Sequence, residues 1–309
     1  MKIILDCDPG HDDAVAIILA ASAISPLTIE AITTVAGNVE VEKNTLNALK
    51  VCDIIGLDVP VAQGAVRPLV KQPEIAEEIH GESGLDGPNL PATPERKAIN
   101  QHAVDLIIDK LLTANEKLTL VLTGPLTNIA LALIKEPKIK DNIEEIVLMG
   151  GGSYGNWTPA AEFNIYVDAE AAKVVFESGV PVRMFGLDIT HQVLATDKTV
   201  TELKEMDHPV ADFIAELFIF FIKAYKDHFD FNGGPVHDAC TVAHLMDPAI
   251  FSFEHLHIDI ETKGEHTYGM TVIDRDRVTG KEPNVCVATG LDENRFWSLF
   301  KNAIASYGN

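Results

Sequence analysis

Apolar residues run along this chain in blocks, and the blocks alternate between two periods. Ile3–Cys7 is a short β-branched run, and Asp12–Ala23 then has helical composition. Thr28–Val35 predicts a strand, and Val41–Ile55 a helix with apolar residues at helical spacing. A short strand over Val59–Ala62, a helix over His102–Leu112 and a strand over Leu118–Leu122 follow, and Pro125 suits the first turn of the next helix. Ile143–Met149 then predicts a strand, Ala169–Ser178 a helix and Pro181–Leu187 a strand. The last third is more helical, with helices over Val210–His228, Asp238–Leu245 and Arg295–Ser306, and late edge strands over Leu256–Ile260 and Met270–Val272.

The early strands show little in–out alternation. Such strands are buried on both faces, as in a parallel sheet covered by helices. The pattern therefore predicts an α/β protein with an open, mostly parallel sheet flanked by helices. No repeat or Pro/Gly/Ser linker breaks the chain, so residues 1–309 read as one domain. Residues 64–100 lack clear periodicity, and a gap of that length predicts a functional loop or an active-site cover.

Charge narrows the partners. The chain has 24 basic and 46 acidic residues, a net charge of −22. That argues against nucleic acid, which needs clustered Lys and Arg, and it favours cations. No apolar run reaches membrane-spanning length, and no secretory leader pattern precedes the first strand. Cys7, Cys52, Cys240 and Cys286 are scattered and read as reduced thiols, so a cytoplasmic protein is expected.

In an open α/β sheet, ligands bind beyond the carboxyl ends of the strands. Polar residues collect there. Asp8, Asp12 and Asp13 follow the first strand, Asn38 the second, and Thr123, Thr127 and Asn128 the Leu118–Leu122 strand. Asn156, Glu162 and Asn164 follow the Gly-rich turn after Ile143–Met149, Asp188 and His191 follow Pro181–Leu187, and His237 and Asp238 open a later helix. Asp6 and Asp8, two apart in extended chain, share one face, and Asp12 and Asp13 occupy a first helical turn. The helix dipole offsets only roughly 0.3–1 kcal/mol per charge. A hard divalent cation such as Ca²⁺, which takes oxygen ligands, suits the cluster better than a solvated cap does. Asn156, Glu162 and Asn164 beside a cation suit a polyol such as a sugar. Tyr225 and His228, at the end of one helix, could line a pocket for a flat base, whereas Phe221 reads as core.

Two motifs mislead. "GGGSYG" at 150–155 matches GxGxxG, but Pro159 stands where a dinucleotide-binding helix would run. A DxD after a buried strand also opens Mg²⁺-dependent aspartate-nucleophile phosphatases, with Asp6 as nucleophile and Asp8 as acid, although the later Lys and paired acids of that class are not found in order. A non-catalytic calcium- or nucleoside-binding protein is the rival outside the enzymes.

The segments "DCDPGHDDAVAI", "TTVAGN", "HGESGLDGP", "VLTGPLTNIA", "GNWTPAAEFNIYVDAEAA", "GLDIT" and "PVHDAC" together resemble the signatures of the inosine–uridine nucleoside hydrolases, in that family's order. "HGESGLDGP" and "GNWTPAAEFNIYVD" look most like the pyrimidine-preferring ribonucleoside hydrolases. The resemblance implies a Rossmann-like nucleoside hydrolase fold and calcium-dependent cleavage of the N-glycosidic bond of uridine or cytidine, with inosine as a further substrate. It implies one Ca²⁺ held by Asp8, Asp13, Asp238 and the carbonyl of Thr123, with ribose hydroxyls completing the shell. Asp12, Asn38, Asn156, Glu162 and Asn164 would hold the ribose, and Asp8 would act as general base. His237 matches the acid of inosine-cleaving members, and His80 and Tyr225 match positions near the base. Phe221 stands where some members carry Tyr. A homo-oligomer, tetramer or dimer, is also implied.

Overall fold

The computed structural model describes residues 1–308. Its first six strands are β1 (Lys2–Cys7), β2 (Thr28–Thr34), β3 (Val61–Gln63), β4 (Leu118–Leu122), β5 (Ile143–Met149) and β6 (Val182–Phe185). A two-residue ladder joins β7 (Leu194–Ala195) to β8 (Gly234–Pro235), and β9 (Phe251–Ile260), β10 (Thr271–Asp274) and β11 (Val285–Leu291) follow. Nine of these strands form one sheet in the order β10-β9-β11-β6-β5-β4-β1-β2-β3. From β3 to β11 every neighbouring pair is parallel, whereas β9 runs antiparallel to both β10 and β11.

Both faces are covered. Ile3, Leu5 and Cys7 of β1 enter one apolar core, and the intervening Ile4 enters another on the opposite face. This explains the weak alternation along the early strands. Strand order reverses at β1, which pairs with β2 on one side and β4 on the other. A crevice opens beyond the carboxyl ends of two such strands, because their connections leave in opposite directions. Asp8 and Thr123 stand at that point, just past β1 and β4.

Several boundaries differ from the sequence expectations. Pro125 precedes its helix, which spans Thr127–Lys135. β6 ends at Phe185, and Leu187–Thr190 forms a helical turn. Leu256–Ile260 is only the end of β9, an interior strand flanked by β10 and β11. The pattern gives no strand at β11, since "VCVATGL" carries Ala and Gly, both depleted in strands, where a sustained β-branched run would stand. Within 64–100, the short helix Glu77–His80 and Ala76 reach the crevice, while Arg96 is anchored to Asp53 and Asp58 on another surface. Among the described residues, no helix is long and apolar enough to cross a membrane.

One buried acid ties the segment around Leu69 to the sheet's covering helices. Asp168 accepts from Leu69 N at 2.9 Å, Thr127 Oγ1 at 2.6 Å and Ala171 N at 3.0 Å. Replacing Asp168 by Ala strands these donors, and is expected to cost about 2–3 kcal/mol in a urea titration. A loss below about 0.5 kcal/mol would show that the tie carries no stability.

Candidate active site

The site begins with the helix His11–Ala21 and its acids. Asp13 accepts from Gly10 N at 3.0 Å and Asp8 N at 3.3 Å, so its carboxylate caps the helix it belongs to. Thr123 Oγ1 donates to Asp13 at 2.8 Å, which joins the end of β4 to the first turn of the helix after β1. Asp8 is held from the other side. Asn38 donates its backbone N–H to Asp8 Oδ2 at 2.8 Å and its amide to the Asp8 carbonyl at 2.9 Å. Two glycines make room for this carboxylate. A Cβ at Gly37 would stand 2.0 Å from Asp8 Oδ2, and one at Gly124 would stand 2.6 Å from Oδ1.

Ligating oxygens of Asp12, Asp13 and Asp238 lie within 4.8 Å of one another. Asp8 and Asp13 are fully buried beneath the cleft floor, and Asp12 and Asp238 form part of its lining. Lysines and arginines pair elsewhere, for example with Glu30, Asp53 and Asp247. The carboxyls respond as buried like charges must. Burial, with added repulsion from neighbouring aspartates, raises Asp8 and Asp238 well above the usual range. Burial and the Asp13 charge bring Asp12 to about 8, and burial lifts Asp13 to about 6 despite its hydrogen bonds. Asp8 Oδ1 has no hydrogen-bond partner. Three converging buried acids, with an unpaired carboxylate oxygen on the neighbouring Asp8, suit a hard divalent cation. The three-acid group includes Asp12, whereas the sequence reading put Asp8 in the ligand set and Asp12 on the sugar. Asp12 sits one step before Asp13 in the same helical turn, which turns it toward Asp238.

Above the acids lies a cleft open to solvent. Of the residues expected at the site, Asp12, Asn38, His80, Thr123, Asn156, Glu162, Asn164, Tyr225, His237 and Asp238 all line it. Glu162 caps the helix Phe163–Val167, accepting from Asn164 N at 2.9 Å and Ile165 N at 3.2 Å, and it also takes Gly151 N at 2.9 Å. Burial brings its carboxyl up to about 7. Asn156 Oδ1 accepts from Phe163 N at 3.0 Å. Asn164 donates to the Thr123 carbonyl at 2.8 Å, the same oxygen expected to face a cation, and a carbonyl has a second lone pair to offer.

On the other wall, His237 is held at both nitrogens. Nε2 meets the Tyr225 hydroxyl at 2.8 Å and Nδ1 meets Thr190 Oγ1 at 2.7 Å. Burial lowers the His237 pKa and raises that of Tyr225. Ile79, Trp157, Phe163 and Phe229 add apolar surface that the sequence reading did not include. Trp157 carried a signal, since it lies between two site residues in "NWTPAAEFN". His228 instead bonds the Ala224 carbonyl at 2.9 Å.

Asp6 takes no part in the cleft. It is 1 % exposed and accepts from Thr33 Oγ1 and from Asn128 Nδ2, the latter at 2.8 Å. It therefore joins β1 to β2 and to the helix after β4. The partners of Asp6, Thr33 and Asn128, do not line the cleft, whereas Asp8 and Asp13 bond Asn38 and Thr123, which do, so the geometry disfavours the phosphatase alternative that needs Asp6 as nucleophile.

A family model described as inosine-uridine preferring nucleoside hydrolase matches residues 3–298. The chain belongs to that family. It is 49% identical over 310 residues to the pyrimidine-specific ribonucleoside hydrolase RihA of Shewanella woodyi, covering 99% of this chain and 98% of the relative. It is 45% identical over 310 residues to the RihA of Escherichia coli, covering 99% of each. Among solved structures, a purine-preferring ribonucleoside hydrolase from Gardnerella vaginalis superposes with a TM-score of 0.92 at 37% identity, covering 99% of both chains. The α/β fold of the hydrolase is thus the family's own.

Two outcomes follow for the acids. In the hydrolase, Asp6→Asn keeps an Oδ1 that can accept from Thr33 and Asn128, so kcat/KM should stay within about tenfold of the parent; a loss of a thousandfold would return Asp6 to the chemistry. Carboxyls whose folded pKa is raised favour the folded state while protonated, and that contribution is lost as pH rises from their unfolded value near 4. The cation-stripped hydrolase should therefore lose Tm between about pH 5 and pH 8, and an excess of divalent cation should restore it. A Tm indifferent to both would contradict the reading.

Proposed function

We propose that this hydrolase cleaves the N-glycosidic bond of ribonucleosides, with pyrimidines preferred, to give ribose and free base, and that it requires Ca²⁺. The observation that carries the proposal is the stacking of two chemistries in one cleft. Buried acids form its floor, and amide and carboxylate groups suited to hydroxyls stand above them. Pyrimidine preference is supported by the names of the RihA relatives.

Asp8, Asp13, Asp238 and the Thr123 carbonyl would hold the cation, with Asp12 close enough to share it. When bound, Ca²⁺ would neutralise these acids, lower the pKa of an adjacent water and orient the ribose 2′- and 3′-hydroxyls. Asp8, buried and without a partner at Oδ1, is the base that takes a proton from the attacking water. Asn38, Asn156, Glu162, Asn164 and Asp12 hold the ribose. Their fixed dipoles and charge favour the positive charge that develops on the ring as the C–N bond lengthens. The departing base must gain a proton. His237 is bonded to the Tyr225 hydroxyl, so a proton leaving Tyr225 toward the base can be replaced from Nε2 of a doubly protonated His237, which keeps its Nδ1 proton on Thr190 Oγ1 and is left neutral. The same reading takes the protein as a single-domain, cytoplasmic homo-oligomer.

Rates on uridine, cytidine, inosine and adenosine with Ca²⁺ present test the substrate assignment, and uridine and cytidine should be fastest. Chelation should abolish turnover, and 2′-deoxyuridine should be far poorer than uridine. Asp8→Asn should lower kcat by about three or more orders of magnitude with the fold intact by circular dichroism. Near-normal kcat in that variant would remove Asp8 as the base, and binding of uridine without any turnover would remove the enzyme assignment.

A further inference from the structure

Among the described residues, none beyond Asp238 lines the cleft, so the antiparallel end of the sheet, β9 and β10, has no part in the chemistry described so far. One side chain links the two. Thr271 opens β10, is paired with Ile260 of β9, and is 2 % exposed. Its Oγ1 donates to the Gly152 carbonyl at 2.6 Å and accepts from the Gly152 N–H at 2.9 Å. A hydroxyl carries one proton and two lone pairs, so it satisfies both polar groups of that residue. Gly152 belongs to the glycine turn that leaves β5 and leads to Asn156 on the cleft wall. Arg275, just past β10, reaches Asp188 at 3.3 Å, and Asp188 accepts from Ser153 N at 2.8 Å. The sheet edge therefore holds the turn at two successive residues.

The turn needs holding from outside. Gly151 has a φ of +72°, and without a Cβ such a residue can swing among several conformations. A Cβ there would stand 2.5 Å from Thr271 Cγ2, so the packing of Thr271 also keeps Gly151 a glycine. Leu187 N donates to the Gly151 carbonyl at 2.9 Å, and Thr271 closes the other side of the same peptide group through Gly152 N. What the turn delivers is the Gly151 N–H, which donates to Glu162 Oε2 at 2.9 Å. Two further donors to Glu162, Asn164 N and Ile165 N, belong to the helix that Glu162 caps, and they move with it. Among the described residues, Gly151 N–H is the one donor that fixes this carboxylate against the end of β5.

We propose that Thr271 is a positioning residue for the ribose. By bonding both polar groups of Gly152 it fixes the turn, keeps the Gly151 N–H on Glu162 and so aims the Glu162 carboxylate into the cleft that it lines. This rests on the nucleoside hydrolase reading, in which Glu162 holds a ribose hydroxyl. It gives the antiparallel edge a task in that reaction. β10 reaches the sugar through three links: Thr271 to Gly152 by hydrogen bonds, Gly152 to Gly151 along the chain, and Gly151 to Glu162 by a hydrogen bond.

Thr271→Val keeps the shape and removes both hydrogen bonds, whereas Thr271→Ser keeps the hydroxyl. In the full-length hydrolase with Ca²⁺, Thr271→Val should lower kcat/KM for uridine about five- to tenfold, as the loss of one neutral hydrogen bond implies, and Thr271→Ser should stay within about twofold of the parent. A threonine with a merely structural role would not single out Glu162, so the double variant is the decisive readout. In a Glu162→Ala background no carboxylate is left to aim, and adding Thr271→Val should cost less than about twofold more. Losses that multiply, a Thr271→Val enzyme within about twofold of the parent, or a Thr271→Ser loss as large as that of Thr271→Val each overturn the proposal. Hydrogen–deuterium exchange over residues 150–155 needs no turnover. It should quicken about tenfold or more in Thr271→Val and keep the parent rate in Thr271→Ser. Unchanged exchange in Thr271→Val also overturns the proposal. If that variant does not fold, Thr271→Ala is read by the same criteria. A parent that cleaves no uridine, with the expected exchange, would reject the function and leave the clamp standing.

Discussion

Four carboxyl groups buried at one point cannot all carry charge unless something positive joins them. Asp12, Asp13 and Asp238 lie within 4.8 Å of one another with Asp8 buried beside Asp13, away from every lysine and arginine that pairs on the surface. Two neutralising partners are available to such a group, protons or a cation. Protons are what the raised carboxyls would take up, and they leave Asp8 Oδ1 without a partner. A cation would satisfy that oxygen and at the same time create the place where sugar hydroxyls bind. Stability and function thus draw on the same atoms.

The fold supplies the convergence. Reversal of strand order at β1 brings the ends of β1 and β4 side by side, and Thr123 bonds Asp13 across that junction. Gly37 and Gly124 let two loops close on Asp8 from both sides, at distances that no side chain would permit. Farther out, Asp168 and Asp6 repeat the device with a different outcome. Each is a buried acid whose hydrogen bonds tie neighbouring segments, and neither faces the cleft. What separates a structural acid from a working one here is where its side chain points, since Asp6 Oδ2 lacks a partner just as Asp8 Oδ1 does.

Much of this was legible in the chain. Strand ends marked the cleft because helical covers force parallel strands to deliver their loops to one edge, and ten of the expected residues line it. Asp6 was harder to place. Period-two alternation puts Asp6 and Asp8 on one face, but Asp8 lies past the last strand residue, where that rule no longer applies. β11 was missed because Thr289 and Gly290 interrupt its apolar run, and its pairing with β6 and β9 is a tertiary fact. Thr271 was passed over for a similar reason. Its partner, Gly152, is distant in sequence, so no local pattern announces the contact.

The central claim is that one cation takes the place of protons among these acids. Calorimetric titration of the stripped protein with Ca²⁺ at pH 7, repeated in two buffers of different ionisation enthalpy, measures both binding and proton exchange. The account predicts one Ca²⁺ per chain, with protons released as it binds. Absence of binding, or binding that releases no proton, would contradict it.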